Sequence, residues 1–474
     1  MMRKIILAIT VFSALILNTF LLSATVRLPS ILGSHMVLQQ NSEVKLWGWC
    51  DPEEVITIKT NWDTLTYKTT GEPSAKWSQK IKTPSAGGPY VITINKTTIL
   101  NDVMIGEIWI CGGQSNMERS GNDGLKQSLD EAPNAGNQNI RFFYVPKATS
   151  GFPQENCGGS WKVCTPDEMK YFSAVGYFFG KKLQQILKIP IGLINSNWGG
   201  TSAEVWTPRQ IVEDDSRLKA ASLKITPAAW WPILPGCVFN AMIYPITNFE
   251  ISGAIWYQGE NNVGTYSSYK NLISKMIDSW RTAWGKNFPF YFVQIAPYAG
   301  YLNHNVGALL REAQTQCLQI PKTGMVVISD LVDDLNNVHP VNKIEVASRL
   351  ANLALAENYG KNGLNYKFPI YKEMKSEKDK IRILFENVGN GFIVKGKSIS
   401  EIYISGEDHQ FKPAMAKIEG KTLIVWNKTI KMPVAVRFGF SNTAIPNLFS
   451  KEGLPVNLFR TDSWEVDTKR VINQ

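Results

Sequence analysis

The feature that most limits how this chain can fold is an alternation in its middle. From about residue 105 to about residue 360, short apolar runs recur with long amphipathic stretches between them. The runs Glu107–Cys111, Ile140–Val145, Ile191–Asn195, Ile251–Tyr257, Phe290–Ile295 and Met325–Ser329 read as buried strands. Val175, Phe178, Phe179 and Ile186 recur at helical spacing, as do Tyr269, Leu272, Ile273, Met276 and Trp280, with Gly285 as a stop. Val346, Leu350 and Leu353 mark a third helix. Strands that alternate with helices pair in parallel, because each returns through a crossover, and the helices then cover both faces. The predicted core is a doubly wound, mostly parallel α/β sheet. The stretch from about 207 to 245, with Trp230-Trp231-Pro232 and Pro235-Gly236, fits no such unit and reads as a long excursion near the site.

The flanks follow a different period. Val44–Trp49 and Val55–Lys59 alternate apolar and polar residues, and turn residues separate such runs at Asp51-Pro52, Gly71-Glu72-Pro73 and Gly87-Gly88-Pro89. This predicts a small β-sandwich. After about residue 365, Ile381–Phe385, Phe392–Lys395, Leu423–Trp426 and Val434–Phe438 read as strands of a second β module or the remainder of the first. A chain of 474 residues exceeds what one core serves. The expected division is a leader over 1–24, a β domain over 25–104, an α/β domain over 105–364 and a β domain over 365–474.

The leader is read from Met1-Met2-Arg3-Lys4, the apolar run Ile5–Leu22 and the small residues Ser23-Ala24, the pattern of a secretory signal peptide. A soluble, exported protein is expected, periplasmic or extracellular, with no membrane span after cleavage. Losing Arg3 and Lys4 takes the formal charge from +10 to +8. The excess is lysine spread along the chain with no dense basic run, so nucleic acid is not an expected partner. The six cysteines form no CxxC pair, which argues against zinc. Cys157 and Cys164 share one polar loop and are the candidate disulfide, whereas Cys111, inside a strand, reads as a buried thiol.

Four segments of the central region end an apolar run in a small or polar loop. They are Cys111-Gly112-Gly113-Gln114-Ser115, Asn197-Trp198-Gly199-Gly200-Thr201, Trp256-Tyr257-Gln258-Gly259-Glu260-Asn261, and Ser329-Asp330 leading to Asn336-Asn337-Val338-His339-Pro340. In a parallel sheet all four emerge at the carboxyl edge, where open α/β sheets take their ligands. Together they fit acyl transfer. Ser115 is the candidate nucleophile, and it requires a base. Of four histidines only His339 follows a strand end in this pattern. Oxyanion donors are expected from the Ser115 N–H, a backbone N–H at Gly199 or Gly200, and the amide of Gln258 or Asn261. Ser115 lies in Gly-x-Ser-x-Met, which is not the Gly-x-Ser-x-Gly elbow, and no GxGxxG or GxxxxGKS phosphate loop occurs. Two other readings compete. Glu107 and Glu260 would make a glycosidase pair if they stood ~5–9 Å apart. The tryptophans at 198, 206, 230, 231 and 256 stack on sugars in a non-catalytic glycan-binding protein, although Trp256, inside a strand, reads as core.

These segments resemble the SGNH-type hydrolases, and more closely the sialate O-acetylesterase group of carbohydrate esterases. Gly113–Met117 is similar to the group's nucleophile block, Trp198–Thr201 to its second, Trp256–Glu260 to its third and His339-Pro340 to its histidine block. Met36–Gln39 with Trp47-Gly48-Trp49 is similar to its amino-terminal β domain. Asn447-Leu448, Glu452–Pro455 and Phe459–Thr461 are similar to its carboxyl end. The resemblance implies an SGNH-like core between two β-sandwich-like domains. It implies Ser115 as nucleophile, His339 as base, and Gly199 or Gly200 and Gln258 as oxyanion donors. The implied reaction removes acetyl groups from a sugar or glycan, with Trp198 and Asn261 at the substrate and with neither metal nor cofactor. Acetylated xylan is the alternative substrate. One position departs from the pattern: many SGNH hydrolases carry Asp three residues before the histidine, and here it is Asn336. Three readings follow: Asp330, Asp333 or Asp334 reaches the imidazole, a Ser–His dyad works alone, or the site is catalytically feeble. The dyad is favoured, since the resembled group tolerates the missing Asp.

Overall fold

A computed structural model describes residues 26–469. The expected leader lies outside the described residues. Thirteen strands precede residue 330: β1 (Val37–Gln39), β2 (Glu43–Trp49), β3 (Val55–Thr60), β4 (Thr66–Thr70), β5 (Lys76–Lys82), β6 (Gly87–Ile94), β7 (Thr98–Gly113), β8 (Asn137–Tyr144), β9 (Trp161–Cys164), β10 (Ile191–Asn197), β11 (Gly253–Tyr257), β12 (Phe290–Val293) and β13 (Thr323–Val326). All but β2 and β5, which pair with each other, join one eleven-stranded sheet. Its central path runs β13-β12-β11-β7-β10-β8-β9. Every pair along it is parallel except the edge strand β9 against β8. The six central strands read from the sequence are all present, with ends shifted by a few residues.

The spine is β7. Its first half pairs with β6 and β1, and its second half lies between β10 and β11. The expected boundary at 104/105 therefore falls inside one continuous strand. Val37, Ile58 and Ile92 of the amino-terminal strands and Ile110 and Leu193 of the central ones share one hydrophobic core.

Four long helices cover the sheet: α1 (Ala174–Leu187), α2 (Tyr266–Trp284), α3 (Val306–Gln316) and α4 (Lys343–Glu357). Gly285, at φ +61°, ends α2 in the left-handed conformation that glycine adopts readily. Trp109 meets Phe179 of α1 at 5.2 Å, and Trp256 meets Trp280 of α2 at 5.8 Å. Ile255 is in register with Cys111, so Trp256, the next residue, faces away from the side that Trp109 and Cys111 share. The helices accordingly lie on both faces.

The carboxyl-terminal part forms two four-stranded antiparallel sheets and a two-stranded one around a core that includes Ile383, Ile404, Phe438 and Phe459. It is thus a second β module with its own core. Arg460, paired with Glu312 of α3 at 2.8 and 2.9 Å, ties it to the central unit. The expected disulfide is not formed: all six cysteines are free. Cys164 turns inward beneath the Ala135 carbonyl at 3.0 Å, while Cys157 stays in its loop against Gly158 O.

Candidate active site

The site is built where β7 stops. Gly113 has φ +135°, and a Cβ there would stand 2.2 Å from Tyr257 O, so glycine lets β7 run close against β11. Gln114 N donates to Tyr257 O at 3.0 Å, and Gln114 Oε1 accepts from Gly259 N at 3.2 Å. The chain then turns into the short helix Ser115–Glu118. Ser173, the N-cap of α1, donates its hydroxyl to Met117 O at 2.5 Å and clamps this turn from behind. Ser115 is the first residue of the helix, where an N–H has no intrahelical partner.

His339 lies in the loop between β13 and α4, and its Nε2 is 2.8 Å from Ser115 Oγ. The topology thus brings together two residues that lie 224 positions apart. Burial pushes the His339 pKa down to about 4, and the positive charges of Lys343 and Arg119 add to that while Asp123 opposes it. The imidazole is therefore neutral above that pH, with a lone pair available to the serine.

No carboxylate completes a triad among the described residues. Both oxygens of Asp330 bind Arg349 at 2.7 Å. Asp334 caps its own turn, accepting from Asn336 N at 2.8 Å and Asn336 Nδ2 at 3.2 Å. Asp333 is exposed and bonds to nothing in the loop. The geometry is that of a serine–histidine pair without a third member.

The expected oxyanion donors fare unequally. Gly199 is next to Ser115: a Cβ there would lie 3.3 Å from Ser115 Cβ. Its N–H, however, is held by Glu118 Oε2 at 2.5 Å, and Glu118 is in turn paired with Lys147. Gly200 takes φ +78° beneath the Trp231 ring, and its carbonyl accepts from Asn261 Nδ2 at 2.6 Å. Asn261 therefore braces the Gly199-Gly200 loop. Gln258 corrects the expectation. Its side chain is fully buried, and its amide donates to Asn262 Oδ1 at 2.7 Å and Thr201 O at 3.3 Å, while Tyr269 Oη donates to its Oε1 at 3.0 Å. Its donors are spent on holding the loops, and none is left for an oxyanion.

The excursion of 207–245 lies over this edge. Trp198 Nε1 donates to Trp230 O at 2.9 Å, Trp230 is 70% exposed, and the Lys147 ammonium sits 5.9 Å from the Trp198 ring. Trp206 and Trp256 are core residues. The glycosidase pair is excluded by position. Glu107 lies six residues before Gly113, at the start of the second half of β7 and about 20 Å away along the strand. Glu260 is at the Ser115 end, where Asn116 Nδ2 donates to its Oε1 at 2.6 Å.

Reading from the sequence missed Glu118, Lys147, Asn116 and Lys343. Glu118 follows Ser115 by three residues, one helical turn, which was a usable signal. Lys343 opens a helix where acidic residues are favoured, which was another.

A parallel sheet with a hydrogen-bonded serine and histidine at its carboxyl edge, and backbone N–H groups beside them, defines a protein equipped for acyl transfer. Comparison gives the family. The model of the carbohydrate esterase, sialic acid-specific acetylesterase family matches residues 105–356, more than half of the chain. Sialate O-acetylesterase of Mus musculus is 29% identical over 413 residues, covering 74% of this chain and 76% of that protein. The human sialate O-acetylesterase is 28% identical over 388 residues, covering 74% of each. Among solved structures, a carbohydrate acetylesterase from Xanthomonas citri is 34% identical with a TM-score of 0.83, covering 93% of this chain and all of that one. The chain belongs to the sialic acid-specific acetylesterase family of carbohydrate esterases, and it is a hydrolase acting on esters.

Proposed function

We propose that this protein is an exported sialate O-acetylesterase that works through an acetyl-enzyme on Ser115. The observation that carries the reading is the 2.8 Å contact between Ser115 Oγ and His339 Nε2. Ser115 Oγ attacks the acetyl carbonyl carbon while its proton passes to His339 Nε2. The tetrahedral oxyanion is received by the Ser115 and Gly199 N–H groups. For this the Glu118 carboxylate leaves Gly199, because a negative charge there opposes the one that develops. The C–O bond to the sugar breaks, and His339 returns the proton to the departing sugar hydroxyl. Water, deprotonated by His339, then attacks the acetyl carbon; the bond from that carbon to Ser115 Oγ breaks, His339 returns the proton to Oγ, and acetate leaves.

The sugar is read from the surroundings. Trp198 and Trp230 offer aromatic faces beside the loop, and Lys147 and Arg119 bring positive charge, which suits an acidic sugar. The family and the named relatives support sialate over xylan. The division into an SGNH-like core between two β-sandwich-like domains is part of the same reading. So is export, which rests on the basic start and apolar run of residues 1–24.

The test is acetate release from a 9-O-acetylated sialoside and from acetylated xylan, side by side, by wild type and Ser115→Ala. Release from the sialoside by wild type alone is expected. Release from xylan alone would replace the substrate and keep the mechanism, and equal release by Ser115→Ala would refute the mechanism.

A further inference from the structure

Behind Ser115 and His339 lies a buried charged pair that the reaction above does not use. Lys343 opens α4 and is 1% exposed. An ammonium is costly there, since it is out of water and at the positive end of the helix dipole. Its Nζ donates to Asn116 Oδ1 at 2.6 Å and stands 5.1 Å from the Tyr257 ring centre. Asn116, fully buried, donates Nδ2 to Glu260 Oε1 at 2.6 Å and to Val338 O at 3.0 Å. Glu260 Oε2 and Tyr257 Oη have no hydrogen-bond partner among the described residues.

Asn116 follows Ser115 in sequence, and Val338 precedes His339. One side-chain amide thus joins the segment carrying the serine to the segment carrying the histidine. An ammonium only donates and a carboxylate only accepts, so Lys343 and Glu260 together fix which end of the amide faces which way. Reversed, the amide would present its oxygen to Val338 O and the tie would be lost.

We propose that Lys343 is a positioning residue: with Glu260 it orients Asn116, and Asn116 holds the His339 segment against Ser115. The tie does the orienting work left vacant by the absence of a carboxylate at position 336. The inference rests on Ser115 and His339 being the reacting pair. It also accounts for a buried lysine where a methionine would fill the space without a desolvation cost.

The test compares kcat, KM and the pH dependence of kcat/KM for wild type, Lys343→Met, Asn116→Ala and the double variant on one acetyl ester, with thermal unfolding of each. Both single variants are expected to lose about 10- to 100-fold in kcat with KM within about twofold, the pattern of lost orientation. The double variant should be little worse than the worse single, because both act on one tie. The charged groups facing His339 are Lys343, Arg119 and Asp123; burial does most to hold its pKa down to about 4, and Lys343 is the larger of the two cations that add to it. Removing that charge raises the pKa of His339 toward its ordinary value. The acid limb of kcat/KM therefore moves to higher pH in Lys343→Met and stays in place in Asn116→Ala. A kcat within about threefold of wild type in both folded variants overturns the proposal. So does a loss in Lys343→Met with an unmoved acid limb, which would mark a packing role. If Lys343→Met does not fold, the kcat of Asn116→Ala decides. Turnover retained by Ser115→Ala would mean that the reacting pair is wrong, a failure distinct from these.

Discussion

The two ends of the second half of β7 carry buried carboxylates under opposite conditions. Glu107, at the amino end, accepts from Gln40 Nε2 at 2.7 Å, from Tyr359 Oη at 2.9 Å and from Ser252 Oγ. Every nearby donor has an acceptor, and the group pins the amino-terminal strands, the sheet and the segment after α4 together. Glu260, beside the carboxyl end, has one oxygen bound and one without a partner among the described residues. Burial raises its pKa, while burial lowers that of Lys343 to about 7. At Glu118 the mismatch takes another form: the carboxylate occupies an N–H beside Ser115 and reaches solvent with Lys147. Carboxylates of the same chemistry are satisfied at the structural end and left unsatisfied beside Ser115 and His339. Buried polar groups without partners are rare in folded proteins, which makes the Ser115 end the place where their cost is offset by use.

The largest effect that sharpens this contrast is loss of turnover. Ser115→Ala, His339→Ala and the double variant are each expected to fall at least about a thousandfold in kcat to one common floor, since the pair acts as a unit. Steady-state rates with equal folded protein check this, and a double variant far below either single would break it. Next comes the structural end. Glu107→Ala leaves the Gln40 amide and the Tyr359 hydroxyl, both partly buried, without this acceptor, while Ser252 Oγ keeps Gln39 Oε1, and should cost about 2 kcal/mol of stability with kcat per folded molecule unchanged, read by denaturant unfolding beside a rate assay. A drop in kcat with stability intact would erase the distinction between the two ends.

Much of this plan was legible before the structure. The six central strands carry continuous apolar runs because both of their faces are covered. Their shared carboxyl edge then followed from topology, and Ser115, His339 and Gly199 converge there. What was not legible depends on side-chain direction. Gln258 follows β11 just as Ser115 follows β7, yet its amide turns into the interior toward Asn262 and Tyr269. The boundary expected at 104/105 stands where a period-2 flank and a buried run meet with no turn residue between them, and the two form one strand. Helix α3 was passed over, since its start at Asn305, in the left-handed region, lacks a side-chain cap. Lys343 was passed over because a lysine normally signals solvent, although its place at the start of a helix set it apart.

A smaller effect separates Glu118 from the rest. Glu118→Ala frees the Gly199 N–H and should raise kcat/KM about fivefold, within what one charged hydrogen bond contributes. It should also tighten binding of a boronic acid that forms a tetrahedral anion on Ser115. Weaker boronate binding would mean that Glu118 supports the loop and does not block it. The smallest effect is expected at the loop carboxylates. Asp333→Ala and Asp334→Ala should stay within about twofold of wild-type kcat, since neither reaches the imidazole. A hundredfold loss at either would restore a triad.

An acetyl group that passes through Ser115 can be trapped there. The enzyme is mixed with excess acetyl ester, quenched in acid within one turnover, digested and examined by mass spectrometry. One added acetyl group is expected on the peptide carrying Ser115 in wild type and none in Ser115→Ala. Full turnover with the acetyl group on another residue, or with no acetyl-enzyme under conditions where deacetylation is slowed, would contradict it.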